Sequence, residues 1–248
     1  MEFNFYPPSL QASGNFNFGE ILEKKPIGFP NDNGILKPYS NLFYWAHAWT
    51  TSKSSTIGLH PHQGFEICTF VLNGSINHFD TKLNKWVKLN KGDVQIIRSG
   101  NGISHSEELL ENSEIFQIWF DPDLSKSLKK MASYDDYKCG DFNIKCFDKY
   151  SVKHLHNSTS KMWMDTEDII INEYSFDQLV SLNIDIEKDK IHSFFLINGE
   201  ISVKDFIAKK GDFFTVSETK YLNLEILKKS RLFEISTPLY PSYKTYSN

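Results

Sequence analysis

Short apolar runs bounded by glycine and asparagine dominate the chain, and two such stretches recur. Phe70-Val-Leu-Asn-Gly74-Ser-Ile-Asn77 matches Phe195-Leu-Ile-Asn-Gly199-Glu-Ile-Ser202, and Lys91-Gly92-Asp93-Val-Gln-Ile-Ile97 matches Lys210-Gly211-Asp212-Phe-Phe-Thr-Val216. Each copy reads as strand, turn, strand: β-branched and aromatic residues suit a pleated, half-buried surface, and glycine and asparagine supply the turns. Gly74 and Gly199 stand 125 positions apart and Gly92 and Gly211 stand 119 apart, so the first copy carries six extra residues around positions 80–85. A hairpin tip tolerates such a difference. An offset of half the chain predicts two similar β domains, residues 1–125 and 126–248, with the polar stretch 121–138 as the junction. Leu124, Leu128 and Met131 recur at helical spacing just after Asp121-Pro-Asp123, which predicts one short helix over 124–131. Residues 169–174 read as a strand buried on both faces and 222–226 as an alternating one.

Composition agrees with this pattern. The 248 residues include 20 Phe, 11 Tyr and 5 Trp but only five alanines, which favours strands over helices. The fold expected is all-β, with few short helices. A net charge of −4 argues against direct nucleic-acid binding, and the one compact basic cluster, Lys228-Lys229-Ser230-Arg231, reads as a solvated turn. Cys68, Cys139 and Cys146 form no CxxC and are odd in number, so a disulfide framework is not expected and a reducing compartment is. No basic leader and no apolar run of membrane-spanning length is evident, so the expected location is cytoplasmic, with no membrane partner.

Chemistry concentrates in the first copy, at His60-Pro-His62 and His105-Ser-Glu107. Residues i and i+2 of a strand point to the same face about 6.6 Å apart, so each pair offers two donors to one side of a sheet. If the two strands are neighbours, three imidazoles and one carboxylate converge, a set suited to a divalent transition metal with positions left open. Glu66 shares strand parity with His60 and His62, but a straight strand puts it about 13 Å from His62 unless the chain bends near Gly64. Glu107 needs no bend and is the preferred ligand; Glu66 is expected to orient a ligand imidazole or a bound water. In the second copy the matching positions are Asp185, Glu187, Ile191, Leu224 and Ile226, which cannot rebuild the set and predict a structural domain.

The segments Gly58-Leu-His60-Pro-His62-Gln-Gly-Phe-Glu66, Lys91-Gly-Asp-Val-Gln95, Gly100-Asn-Gly-Ile-Ser-His105-Ser-Glu107 and Gln117-Ile-Trp119 resemble the pirin family of the cupin superfamily. The resemblance runs from about Phe43 to the carboxyl end. It implies a bicupin, two jelly-roll barrels facing each other. It also implies one iron, Fe(II), held by His60, His62, His105 and Glu107, although the donor set itself does not choose among Fe, Mn, Ni, Cu and Zn. Gln63, Lys91 and Arg98-Ser-Gly100 depart from the family pattern, and none is a ligand position.

Two functions follow. In the first, the protein is a quercetin 2,3-dioxygenase-type oxygenase whose small-molecule substrate is flavonol-like or otherwise enolisable. It reacts with O2 at the metal, with Glu107 or Glu66 taking the substrate proton. In the second, it is a non-catalytic regulator whose metal or redox state is reported to a protein partner. A monomer is expected in either case. Outside the site, His154-Leu-His156 repeats the spacing without a second ligand pair, and His47, His78 and His192 read as packed, solvated or hydrogen-bonded strand residues. Cys68, sharing the parity of the HPH pair, reads as a small buried hydrophobe.

Overall fold

A computed structural model of the chain describes residues 1–246. The described residues form three antiparallel sheets of nine, four and seven strands, and their one α-helix is Leu124–Ser127, with Asp123 accepting from the Ser125 N–H at its start. The helix is shorter than its apolar spacing suggests, and the all-β expectation holds.

The chain divides into two compact units that are not contiguous in sequence. The first comprises Leu10–Asp141, Met164–Glu167 and the described part of Pro241–Asn248; the second comprises Met1–Ser9, Phe142–Trp163 and Asp168–Tyr240. Their edges therefore differ from the division into 1–125 and 126–248. Residues 121–138 are not a free junction, because strand Ser133–Tyr137 pairs with Val94–Arg98 in the first unit's seven-stranded sheet. At the other end of the chain, Glu2–Tyr6 pairs with Phe213–Ser217 in the second unit.

The repeat is visible in the backbone. Gly74 and Gly199 both adopt positive φ, +68° and +94°, where L side chains are strained. A Cβ would also collide with Ser113 Oγ at Gly74 and with Ser230 Oγ at Gly199. Two turns of one design, each closed by a serine, explain why these glycines anchor the repeat.

In the first unit, strands Ser55–His62, Ile103–Leu109, Ser75–Asp80 and Trp86–Asn90 make the four-stranded sheet, and Glu66–Asn73 and Glu114–Phe120 lie centrally in the seven-stranded one. Ile21, Val71, Ile76, Leu89, Leu109 and Ile115 form one of the buried apolar clusters of this unit.

The second unit's core includes Phe194, Leu196, Phe214 and Leu232. Leu224 and Ile226, the counterparts of His105 and Glu107, lie in that core, while Asp185 and Glu187 are exposed. Strand Tyr221–Pro238 alternates over 222–226 as its pattern predicts. The basic cluster lies within this strand rather than in a turn, with Lys228 paired to Glu200 and Arg231 to Glu173.

One buried polar group interrupts the second core. Glu234 accepts from His192 Nδ1 at 2.7 Å, Asn172 Nδ2 at 2.9 Å and the Tyr174 hydroxyl at 2.8 Å. Burial alone would push this carboxyl up; the hydrogen bond and charge of His192, with Asn172 and Tyr174, bring it below the usual carboxylate range. A carboxylate with a lower pKa folded than unfolded contributes stability that is complete above about pH 5 and is lost as pH falls. Glu234→Gln is therefore expected to be less stable than wild type at pH 7 and to lose less between about pH 5 and pH 3, as read from urea midpoints. Parallel acid limbs would refute this.

Candidate metal centre

Strand Ile103–Leu109 is the middle element of the site, paired on one side with Ser55–His62 and on the other with Ser75–Asp80. His105 lies directly across from His60. Between His105 and Glu107 the register slips, so that Glu107 faces Ile57 and one extra residue is accommodated near Gly58. Such a bulge re-aims side chains locally, and here His60 Nδ1 meets the Gly58 carbonyl oxygen at 2.8 Å. That bond makes Nδ1 the donor and leaves the lone pair on Nε2.

The imidazoles of His60, His62 and His105 form a triangle, with ring centroids 4.4 Å apart for His60 and His105 and 4.9 Å for the other two pairs. One ligand atom from each lies within 4.8 Å of the others. His62 Nε2 and both ring nitrogens of His105 are buried without a hydrogen-bond partner. Buried polar atoms are nearly always bonded, so an orphaned nitrogen on each of two adjoining rings, beside a third imidazole, makes a group that could hold a cation. Burial, then the neighbouring imidazoles His105 and His60, depress His62 to about 3, against a smaller opposing effect of Glu107. Burial, then His60 and His78, depress His105 to about 2, against Asp80. Both rings are thus neutral at neutral pH, the form in which imidazole binds a metal. The donor set fits a divalent transition ion.

Glu107 is fully buried and held from two sides, accepting from Thr69 Oγ1 at 3.2 Å and Gln117 Nε2 at 2.5 Å. It groups with His105 and His78, rather than with His60 and His62, within the same 4.8 Å limit. Glu66 joins neither group among the described residues. Its carboxylate accepts from Asp165 N at 2.7 Å, Thr166 N at 2.8 Å and Thr166 Oγ1 at 2.5 Å. The cause is a turn at Gly64, whose φ of +88° interrupts the extended chain between the HPH segment and strand Glu66–Asn73. Parity does not carry through such a turn. Thr69 points at Glu107, which turns Cys68 and Glu66 to the opposite face. Cys68 is buried there, and burial pushes its thiol well up, as for an inert hydrophobe.

The other histidines lie outside the three-histidine triangle. His154 Nδ1 bonds Asn172, His156 Nδ1 bonds the Met162 carbonyl, and His47 Nε2 bonds Glu114 at 2.7 Å. His78 is a hydrogen-bonded strand residue rather than a solvated one: it is fully buried, bonds Asp80 through Nε2 at 3.1 Å and lies flat against Tyr134. The available signal was His78-Phe-Asp80, a third pair with i, i+2 spacing. Trp119 was also passed over as a site residue; its ring stands 4.8 Å from His62, edge to face, with Phe65 stacked behind it.

The almost wholly β, two-unit architecture is that of a bicupin fold. Residues 10–120, a little under half of the chain, match the family model for Pirin. The chain is 41% identical over 69 residues to the quercetin 2,3-dioxygenase of Escherichia coli K12, covering 27% of this chain and 29% of that one. It is 36% identical over 125 residues to Pirin-1 of Arabidopsis thaliana, covering 46% of this chain and 42% of that one. The chain thus matches less than half the length of either relative. The structure of the bacterial pirin YhhW from E. coli in complex with nickel(II) superposes with a TM-score of 0.77 at 17% identity, covering 96% of this chain and 99% of that one. Among the described residues, no helix is long and apolar enough to cross a membrane.

Proposed function

We propose that this chain is a metal-dependent dioxygenase acting on a flavonol-type or other enolisable small molecule, with His60, His62, His105 and Glu107 holding one divalent ion. The observation that carries the reading is the set of orphaned, neutral imidazole nitrogens converging at one buried point. The quercetin 2,3-dioxygenase relative supports the substrate class. When bound, the metal supplies a Lewis-acid and redox centre with open positions for a substrate oxygen and O2. The protein's own part is positioning. Thr69 and Gln117 fix the Glu107 carboxylate, and the Trp119 indole donates to Gln117 Oε1 at 3.3 Å, tying an aromatic wall to the same chain of bonds. Of the two carboxylates expected to take the substrate's proton, Glu107 is the one grouped with His105, whereas Glu66 lies in neither donor group among the described residues and is bound to Asp165 and Thr166.

Oxygen uptake with quercetin is the test. Uptake is expected in protein loaded with iron, manganese, nickel or copper and not in chelator-treated protein. Absence of turnover with all four ions would remove the catalytic reading while leaving the metal site standing.

A further inference from the structure

We propose that His78 and Asp80 are the positioning pair of this centre, with Asp80 orienting His78 and His78 accepting a hydrogen bond from His105. The inference rests on the metal reading of the His60, His62 and His105 cluster and assigns a role to two buried residues outside it.

Both side chains are fully buried. Asp80 Oδ1 is held by the backbone N–H groups of Lys82 at 2.8 Å and Leu83 at 2.7 Å, which leaves Oδ2 for His78 Nε2 at 3.1 Å. Since the carboxylate only accepts, His78 Nε2 is the donor, and its Nδ1 is the lone-pair atom in the tautomer so selected. That Nδ1 is buried without a partner. The Tyr134 ring, 5.1 Å away and within 7° of parallel, fixes the plane of the imidazole.

His105 has the complementary deficit. A neutral imidazole carries one acceptor and one donor, so a metal taking the lone pair leaves an N–H at the other nitrogen. Both of its nitrogens lack partners, and the ring lies 5.6 Å from that of His78. Ligand atoms of His78, His105 and Glu107 lie within 4.8 Å of one another. Each Glu107 oxygen accepts one hydrogen bond, from Thr69 or Gln117, and its remaining lone pairs are the ones proposed for the metal, whereas the lone pair of His78 Nδ1 has no other use. Cross-strand pairing builds this arrangement, since His105 faces Asp80 and Glu107 faces His78. Ligand histidines commonly pass their second N–H to such a partner, and losing it typically lowers metal affinity about 10- to 100-fold.

The test is cobalt(II) titration of the full-length apoprotein, with affinity read by chelator competition and the ligand field read from the visible spectrum of the bound ion. His78→Phe keeps the stacked ring but removes the acceptor; it is expected to lower affinity about 10- to 100-fold and to shift the visible band, with one ion per chain retained. Asp80→Asn, a weaker acceptor, should lower affinity about 10-fold. Adding it to His78→Phe should cost nothing further. His78→Asn places an amide oxygen near the position of Nδ1 and should recover most of the affinity. Unchanged affinity in His78→Phe, with an unchanged thermal midpoint of the apoprotein, would overturn the proposal. So would complete loss of the ion, which would make His78 a ligand. If His78→Phe does not fold, unchanged affinity in Asp80→Asn decides against the pair. Wild-type protein that binds no cobalt would defeat the metal reading itself, and the pair with it.

Discussion

Replacing His62 with alanine is expected to take the purified protein from one bound metal per chain to none, whereas His154→Ala leaves the content unchanged. Elemental analysis after metal loading measures both. His62 is the informative choice because its lone pair has no other use: Nε2 is buried and unpartnered, and burial with two adjacent imidazoles keeps the ring neutral far below physiological pH. His62 also makes the edge-to-face contact with Trp119, which its truncation removes. His154 shares the HxH spacing, but its Nδ1 is committed to Asn172, and no third donor joins it among the described residues. Two metals per chain in wild type, or full occupancy in the His62 variant, would sink the assignment.

Much of this site was legible in the sequence because strand geometry is regular where the strand is regular. The spacing of His60 with His62 and of His105 with Glu107 fixed two same-face pairs, and pairing of their strands brought the three imidazoles together. The repeat was legible because Gly74 and Gly199 do the same steric work against a serine. What failed was arithmetic carried across irregular backbone. The positive φ of Gly64 cancelled the parity argument for Glu66 and Cys68, and the bulge near Gly58 shifted Glu107 relative to the HPH strand. His78 was missed for a different reason. A histidine judged alone reads as ordinary, and only the non-local pairing of Glu107 with His78 gives it a neighbour worth noticing. Likewise, no local signal tells that Glu2–Tyr6 completes the second unit's sheet rather than the first's.

Glu66→Ala is expected to destabilise the protein by about 3–5 kcal/mol, on the order of 10 °C in Tm, while leaving metal content unchanged. The carboxylate is fully buried and is the acceptor for three donors, the N–H groups of Asp165 and Thr166 and the Thr166 hydroxyl. Removing it strands those donors, and an unsatisfied buried donor costs about 1–3 kcal/mol. The Arg98 guanidinium, with Nε 3.9 Å from Glu66, also loses an opposite charge in a buried setting. Burial raises the Glu66 carboxyl and the three hydrogen bonds pull against that rise, so the group is held by residues 165–166 rather than by the histidine cluster. Glu66→Gln keeps one acceptor oxygen and should lose less. Thermal melts with metal analysis of the same preparations separate the alternatives. A variant that melts like wild type but no longer retains the ion would place Glu66 among the ligands; one that melts like wild type and binds metal but no longer consumes oxygen would make it the base.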